Sequence, residues 1–450
     1  DFCLSRGLGD VYKRQAYALG GTAGLMKAGS GVMNLNRQAY FTGATTVNGG
    51  TLNLLSGAAN TLAVVPTQTA TLGALSLNGL DALVDLRNRA QAVGVLNSIN
   101  DLPGQGGTVT NSGASIVPFT VSTTAGNGTF SGSLTGNLSL VRSGSNTLTL
   151  TDANTYAGET IVRGGTLRLK DAGAITGTAG LKLYYGQLNW DNFGYNPVLN
   201  PVRLAAANPV FLRGGAFTVN GAGSTDTALT LNSVTVESGA NVINTLPYVN
   251  MGSTVALTVG NLVRGANTRS GVNFNGWTTN NHTGTNSLGN QSLAASARVF
   301  LTRVNGALFS ESSLNDGLIG GWAVADGSTF ATYSNTFGVV AMGASYGGFS
   351  ARGFDGDLTS TLNNTRNIAD NADRTLSGAV ALNSLRYAAG STARTITFSA
   401  GATLALDVGF ISNSGNNVTL AATDATNTFS GTGTDLFLYN NQGNSIIIEP

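Results

Sequence analysis

The sequence predicts an all-β, repetitive chain, and three observations predict it. One block occurs twice: Leu25–Leu54 (LMKAGSGVMNLNRQAYFTGATTVNGGTLNL) and Leu140–Leu169 (LVRSGSNTLTLTDANTYAGETIVRGGTLRL) align without a gap, with 12 of 30 positions identical. A gap-free self-match means that one backbone unit is used more than once. Short apolar–polar alternations recur along the chain, punctuated by Gly, Asn, Asp and Ser. Charged residues are only 10% of the chain, and glycine is 62 of 450 residues, about twice its usual ~7% share.

Taken in order, the alternating segments are Val32–Asn36 (VMNLN), Thr147–Thr151 (TLTLT), Thr166–Lys170 (TLRLK), Thr254–Val259 (TVALTV), Thr395–Phe398 (TITF) and Thr403–Val408 (TLALDV). Each has the period of two expected of a strand with one buried face. The residues between them supply turns and positive φ. Sustained helical periodicity is nearly absent. The best helical candidates are Asp81–Asn97 and Asn364–Tyr387, where charge is denser; neither has a clear amphipathic stripe, and both are expected to be excursions from the sheet.

Within the duplicated unit each residue type has a physical job. Leu148, Leu150, Leu167 and Leu169 point one way and fill a core, while Thr147, Thr149, Thr166 and Arg168 point the other way. Gly49-Gly50 and Gly164-Gly165 fall between two strands, where the chain bends. Asn154 lies in a tight connection, and its amide is expected to stack on an Asn of the next coil. Phe41 and Tyr156 occupy the same place and cap the core beside the turn.

The unit resembles the autotransporter-associated β-strand repeat of bacterial passenger domains, which reads roughly L-x-K-x-G-x-G-x-L-x-L-x-x-x-N-x-Y-x-G-x-T-x-V-x-x-G-x-L. Leu140, Arg142, Gly144, Leu148, Leu150, Asn154, Tyr156, Gly158, Thr160, Val162, Gly165 and Leu167 match it or replace conservatively. The first copy matches at Leu25, Lys27, Gly29, Gly31, Leu35, Gly43, Thr45, Val47, Gly50 and Leu52. It departs at Met33, Ala39 and Phe41, and the second copy departs at Asn146. A looser likeness extends to Leu229–Asn244 and Ile319–Tyr333.

The resemblance implies a right-handed parallel β-helix, exported and displayed or released at the bacterial cell surface. Residues 16–450 are then expected to form one continuous β-solenoid with excursions near 81–102 and 355–390. Coils of very roughly 20–25 residues would stack about 4.8 Å apart. The implied role is a rigid stalk or adhesin scaffold without catalysis, binding glycans or proteins of host or neighbouring cells. The alternatives are a carbohydrate-active β-helix (lyase or hydrolase) and a pure spacer for a distal head.

Residues 1–15, ending DVYKRQ, resemble a translated sequencing adapter and are set aside as a scar. The only cysteine, Cys3, falls there, so neither a disulfide scaffold nor a Cys-ligated zinc site is expected. A net charge of +1 and the lack of a basic stripe leave nucleic acid no electrostatic footprint. No run of ~20 apolar residues occurs, and the alternating spans of a membrane β-barrel are not seen near Ser445–Pro450. A translocator or anchor is expected outside this sequence.

Candidate chemistry is sparse. The only histidine, His282, sits in NNHTGTN without a G-x-S-x-G elbow and reads as a loop residue. Gly431–Leu436 (GTGTDL) resembles half of a calcium-binding nonapeptide, and FDGD places Asp355 and Asp357 in one tight turn; both read as turns. Asp407, Asp424 and Asp435 are spaced to stack on adjacent coils, yet each also fits a turn. Tyr184, Tyr185, Trp190, Phe193 and Tyr195 cluster, which suits core and turn packing better than sugar stacking. No catalytic residue, cofactor or metal is expected.

Overall fold

The computed structural model describes residues 19–62, 72–99, 102–193, 202–222, 225–247, 253–265, 268–276, 288–289, 296–346, 349–388, 390–413, 415–432, 435–440 and 445–449. The adapter-like segment with Cys3, His282 and Tyr195 lie outside them. The chain is all-β and forms a parallel β-helix. Among the described residues the helices comprise one short 3-10 turn at Glu311–Ser313, and none is long and apolar enough to cross a membrane. Contacts divide the chain into two compact units, Asp1–Leu167 with Ala172–Ala179, and Arg168–Asp171 with Gly180–Pro450.

In the first unit, strands pair in parallel with their counterparts one coil on. One sheet joins Leu25–Lys27, Thr45–Val47, Leu75–Leu77 and Leu96–Asn97. Another joins Val32–Leu35, Thr51–Leu54, Leu83–Asp85, Thr108–Asn111 and Ser133–Gly136. A third ladder runs from Gln91–Val93 through Val117–Ser122 and Leu138–Ser143 to Thr160–Arg163. Coil length varies: Asn34 bonds Asn53 across 19 residues, and Asn48 bonds Asn78 across 30. The period of two is what buries the core. In Val117–Ser122 the side chains of Val117, Phe119 and Val121 are buried and their neighbours are not. A single coil has no partner for that face, so stacking supplies it; each fully buried Leu, Val or Phe contributes about 1.5–3 kcal/mol.

The second unit repeats this scheme. Parallel ladders run through Leu181–Tyr184, Val210–Arg213, Val234–Val236 and Leu262–Arg264, and through Thr227–Leu231, Thr254–Val259 and Ser296–Leu301. Between residues 303 and 350 the pairing turns antiparallel, with hairpins at Ala323–Ala325/Thr329–Ser334 and Thr329–Ser334/Gly338–Ala341. Parallel coils then resume, from Asn367–Asp370 and Arg374–Leu376 to Phe437–Asn440 and Ile446–Glu449.

Two sequence expectations are corrected here. The stretch 81–97 is not helical and not an excursion. Leu83–Asp85 is a middle strand of a parallel sheet, and Gln91–Val93 starts another ladder. Its charges belong to a turn: buried Asp85 accepts hydrogen bonds from the Arg87 amide and the Ser112 amide and hydroxyl. Likewise 364–387 carries three strands in parallel pairs. There buried Asp370 accepts from the amides of Leu358, Asn371 and Ala372 and from Arg374. The departure from parallel stacking lies instead at 303–350.

Candidate functional site

The duplicated unit buries a basic residue in matching geometry in both copies. Lys27 ends the strand Leu25–Lys27 on its inward face and is 7% exposed; Arg142, at the equivalent position of Leu138–Ser143, is 0% exposed. A buried unpaired cation would be severely penalised. Both are instead caged by main-chain oxygens at glycine corners. The Lys27 ammonium donates to Ala28, Gly29 and Gly49 carbonyls at 3.1, 2.6 and 2.7 Å. Arg142 Nη1 donates to the carbonyls of Gly144 and Gly164 at 3.1 Å each and to Ser143, and Nε donates to Thr166 at 3.3 Å. Gly29 and Gly49 in the first copy align with Gly144 and Gly164 in the second, so one clasp is built twice. Burial pulls the Arg142 guanidinium down to about 10, which leaves it charged at neutral pH.

The corner glycines make room for this cation. Gly50 and Gly165 sit at φ +64° and +55°, a region that glycine adopts at little cost. A methyl group on Gly50 would lie 2.5 Å from the Gly29 oxygen, and one on Gly165 would lie 2.7 Å from the Gly144 oxygen. Arg142 Nη2, which has no acceptor, also lies against Gly165. Gly43 and Gly158 mark a second close approach, where a methyl group on Gly158 would lie 2.5 Å from the Leu138 carbonyl oxygen.

The remaining motif residues surround the clasp. Leu35, Leu52, Leu140, Leu150 and Leu167 are buried, and Leu25 is half-buried. Asn154 does not stack on another Asn, contrary to the sequence expectation. Its Oδ1 accepts the Leu134 amide at 2.9 Å, and its Nδ2 donates to Ala174 and Asp152 carbonyls at 3.0 and 2.7 Å. One side chain thus joins main chain 20 residues before it and 20 after it. Asparagine-to-asparagine bonds occur elsewhere, at Asn34–Asn53, Asn48–Asn78 and Asn189–Asn220. Tyr156 is buried at the turn, and burial pushes its phenol well above the ordinary value. Thr160 donates to Thr178, which donates to the Gly158 carbonyl. Tyr156 therefore donates to Thr160, at 2.5 Å, and the three hydroxyls form one chain. Phe41 is half-buried in the first copy and has no hydroxyl for this role.

Replacing Asn154 by Ala, the residue type of Ala39 in the first copy, orphans the buried Leu134 amide. The expected loss is about 2 kcal/mol, read as a lower urea midpoint. An unchanged midpoint would show that the side chain bridges nothing of consequence.

Four of the five acidic residues considered for chemistry are engaged. Asp355 pairs with Arg352 at 3.0 Å and accepts the Asn367 amide. Asp357 pairs with Arg374 at 2.9 Å; hydrogen bonds from the Thr359 hydroxyl and amide, with Arg374 adding, hold its carboxyl below the usual range. Asp424 is held low by the Thr426 hydroxyl and amide, Asp435 pairs with Arg264 at 3.2 Å, and Asp407 is half-buried in a strand. Trp190 is 4% exposed and belongs to the core, while Tyr184 lies under Arg213 and Tyr185 is exposed at a bend. No group of three or more His, Cys, Asp or Glu placed to hold a metal occurs among the described residues.

The clasp recurs where a family model, the passenger-associated-transport-repeat, matches residues 25–54 and 140–169. The chain carries two passenger-associated transport repeats. Their presence suggests an autotransporter passenger domain. No curated protein and no solved structure matches the chain. Sequence reasoning gave no role to Lys27 and Arg142. The signal was present as a basic residue kept at one inward strand position of both passenger repeats.

Proposed function

We propose that the chain is part of an autotransporter passenger whose scaffold is its function: a rigid β-helical stalk or adhesin scaffold, exported to the bacterial cell surface and non-catalytic. In the full-length protein it is held at the outer membrane by a translocator outside this sequence, and it meets glycans or proteins of host or neighbouring cells. The observation that carries this reading is the passenger repeat's clasp. In both copies the buried cation bonds to the next coil, and in the second copy Asn154 and the Thr160–Thr178 hydroxyl pair add further coil-to-coil bonds. The engaged carboxylates support the non-catalytic part of the reading.

The test is display. Cells producing the full-length protein are expected to label with antibody when intact and to lose the label on protease shaving. The purified chain is expected to release neither reducing ends nor unsaturated products from acidic or neutral polysaccharides. Labelling only after permeabilisation would overturn export. Product release that falls with Asp407→Asn, Asp424→Asn or Asp435→Asn would establish the carbohydrate-active alternative.

A further inference from the structure

A cleft of about 500 Å³ opens within the second unit, in the range of small-molecule sites. It is lined by the parallel strands Val234–Leu246 and Ser270–Asn275, by Arg269 just before the second of them, by Trp322, and by the late strand Phe437–Asn440. Its lining includes the small residues Gly239, Ala240, Gly271 and Gly321. Three rings, those of Trp322, Phe437 and Tyr439, border it. Two are fixed by one cation: the Arg264 guanidinium lies 6.0 Å from the Trp322 ring centre and 5.2 Å from that of Phe437. Arg264 is itself held by Asp435 at 3.2 Å and by the Ser270 carbonyl at 2.9 Å.

The polar lining is one-sided. Asn241 is satisfied, since its amide donates to Ser238, Gly239 and Gly271 carbonyls and its oxygen accepts the Gly215 amide. Asn273 accepts the Gly327 amide through Oδ1, and its Nδ2 has no partner among the described residues. The Arg269 guanidinium, the Trp322 indole N–H and the Tyr439 hydroxyl likewise have none there. Burial pushes the Tyr439 phenol up, so it keeps its proton. Unpartnered groups at the cleft are therefore donors, and one carries full positive charge. Carboxylates are the natural partners of arginine forks, and aromatic rings pack on the apolar faces of sugars as on other apolar surfaces.

We propose that this cleft binds an acidic sugar residue, a hexuronate of a surface polysaccharide, with its carboxylate on Arg269 and its ring against Trp322 and Tyr439. Asn273 donates to its hydroxyls through Nδ2, and Arg264 is a positioning residue that sets the walls. This site rests on the adhesive part of the proposed function and names its ligand class.

The test is titration of the whole chain with trigalacturonate, with maltotriose as the neutral control, followed by tryptophan fluorescence and saturation-transfer NMR. Saturable binding of the acidic sugar is expected, and weakening by at least about ten-fold in Arg269→Gln. Arg269 is exposed and bonds nothing among the described residues, so that variant keeps its fold; Trp322→Ala is expected to remove the fluorescence response. No saturable response below ~10 mM, equal binding of maltotriose, or unchanged affinity in Arg269→Gln would overturn the site. Adhesion of displaying cells is scored in parallel. Trigalacturonate binding without adhesion supports the site and overturns the adhesive reading. Adhesion without trigalacturonate binding overturns the site and leaves that reading standing.

Discussion

Arg142→Ala is expected to destabilise the first unit by about 3–5 kcal/mol. The substitution removes a side chain with no solvent exposure and leaves the carbonyls of Ser143, Gly144, Gly164 and Thr166 short of a donor. Each unmade buried hydrogen bond costs about 1–3 kcal/mol, and the cavity adds to it. Arg142→Lys is the discriminating partner. Lys27 already makes the same clasp in the first copy, so the lysine variant is expected to recover more than half of the loss. The measurement is the urea midpoint, with limited proteolysis between residues 140 and 170 as a local readout. If the lysine and alanine variants melt together, the cation is not what joins the coils.

Gly165→Ala is the second large effect, at about 3–4 kcal/mol. Placing a side chain at φ +55° costs about 1–2 kcal/mol. The added methyl would also lie 2.7 Å from the Gly144 carbonyl and against Arg142, and such overpacking costs about 1–3 kcal/mol. Gly31→Ala is the control, because nothing lies within 4 Å of the atom it adds; its midpoint should stay within about 0.5 kcal/mol of the parent. Equal effects in the two variants would mean that glycine serves this unit through chain entropy and not through space.

The same contrast shows what could be read from residue order alone. The repeat pattern has glycine at both positions, yet the second copy carries Asn146 where the first has Gly31. The structure explains why that glycine is dispensable and the corner glycines are not. Strands such as Thr254–Val259 were legible because alternation is a local signal of a half-buried face, and the structure places a strand on those residues. The strands at 83–85 and 367–370 were missed because the charges beside them resemble a solvated helix. In fact Asp85 and Asp370 are buried acceptors for turn amides. The hairpin strands Ala323–Ala325, Thr329–Ser334 and Gly338–Ala341 are buried on both faces and lack the alternation of strands such as Val117–Ser122, so residue order alone does not reveal them or their direction. Lys27 and Arg142 carried no assigned role because a basic residue near a turn is ordinarily solvated. Arg269 and Tyr439 are 170 residues apart, and only the fold brings them to one cleft.

The clasp also acts as a ruler. Lys27 reaches Gly49 across 22 residues, and Arg142 reaches Gly164 across 22. Where a cation bridges two coils, the chain between them has a fixed length, because any insertion moves the corner out of reach. Coils without that bridge are free of this gauge: Thr254 meets Ser296 across 42 residues. Insertions and grafted loops should therefore be tolerated in the unbridged coils and rejected within the bridged ones. The places where this molecule can gain new sequence are set by where its basic residues point inward.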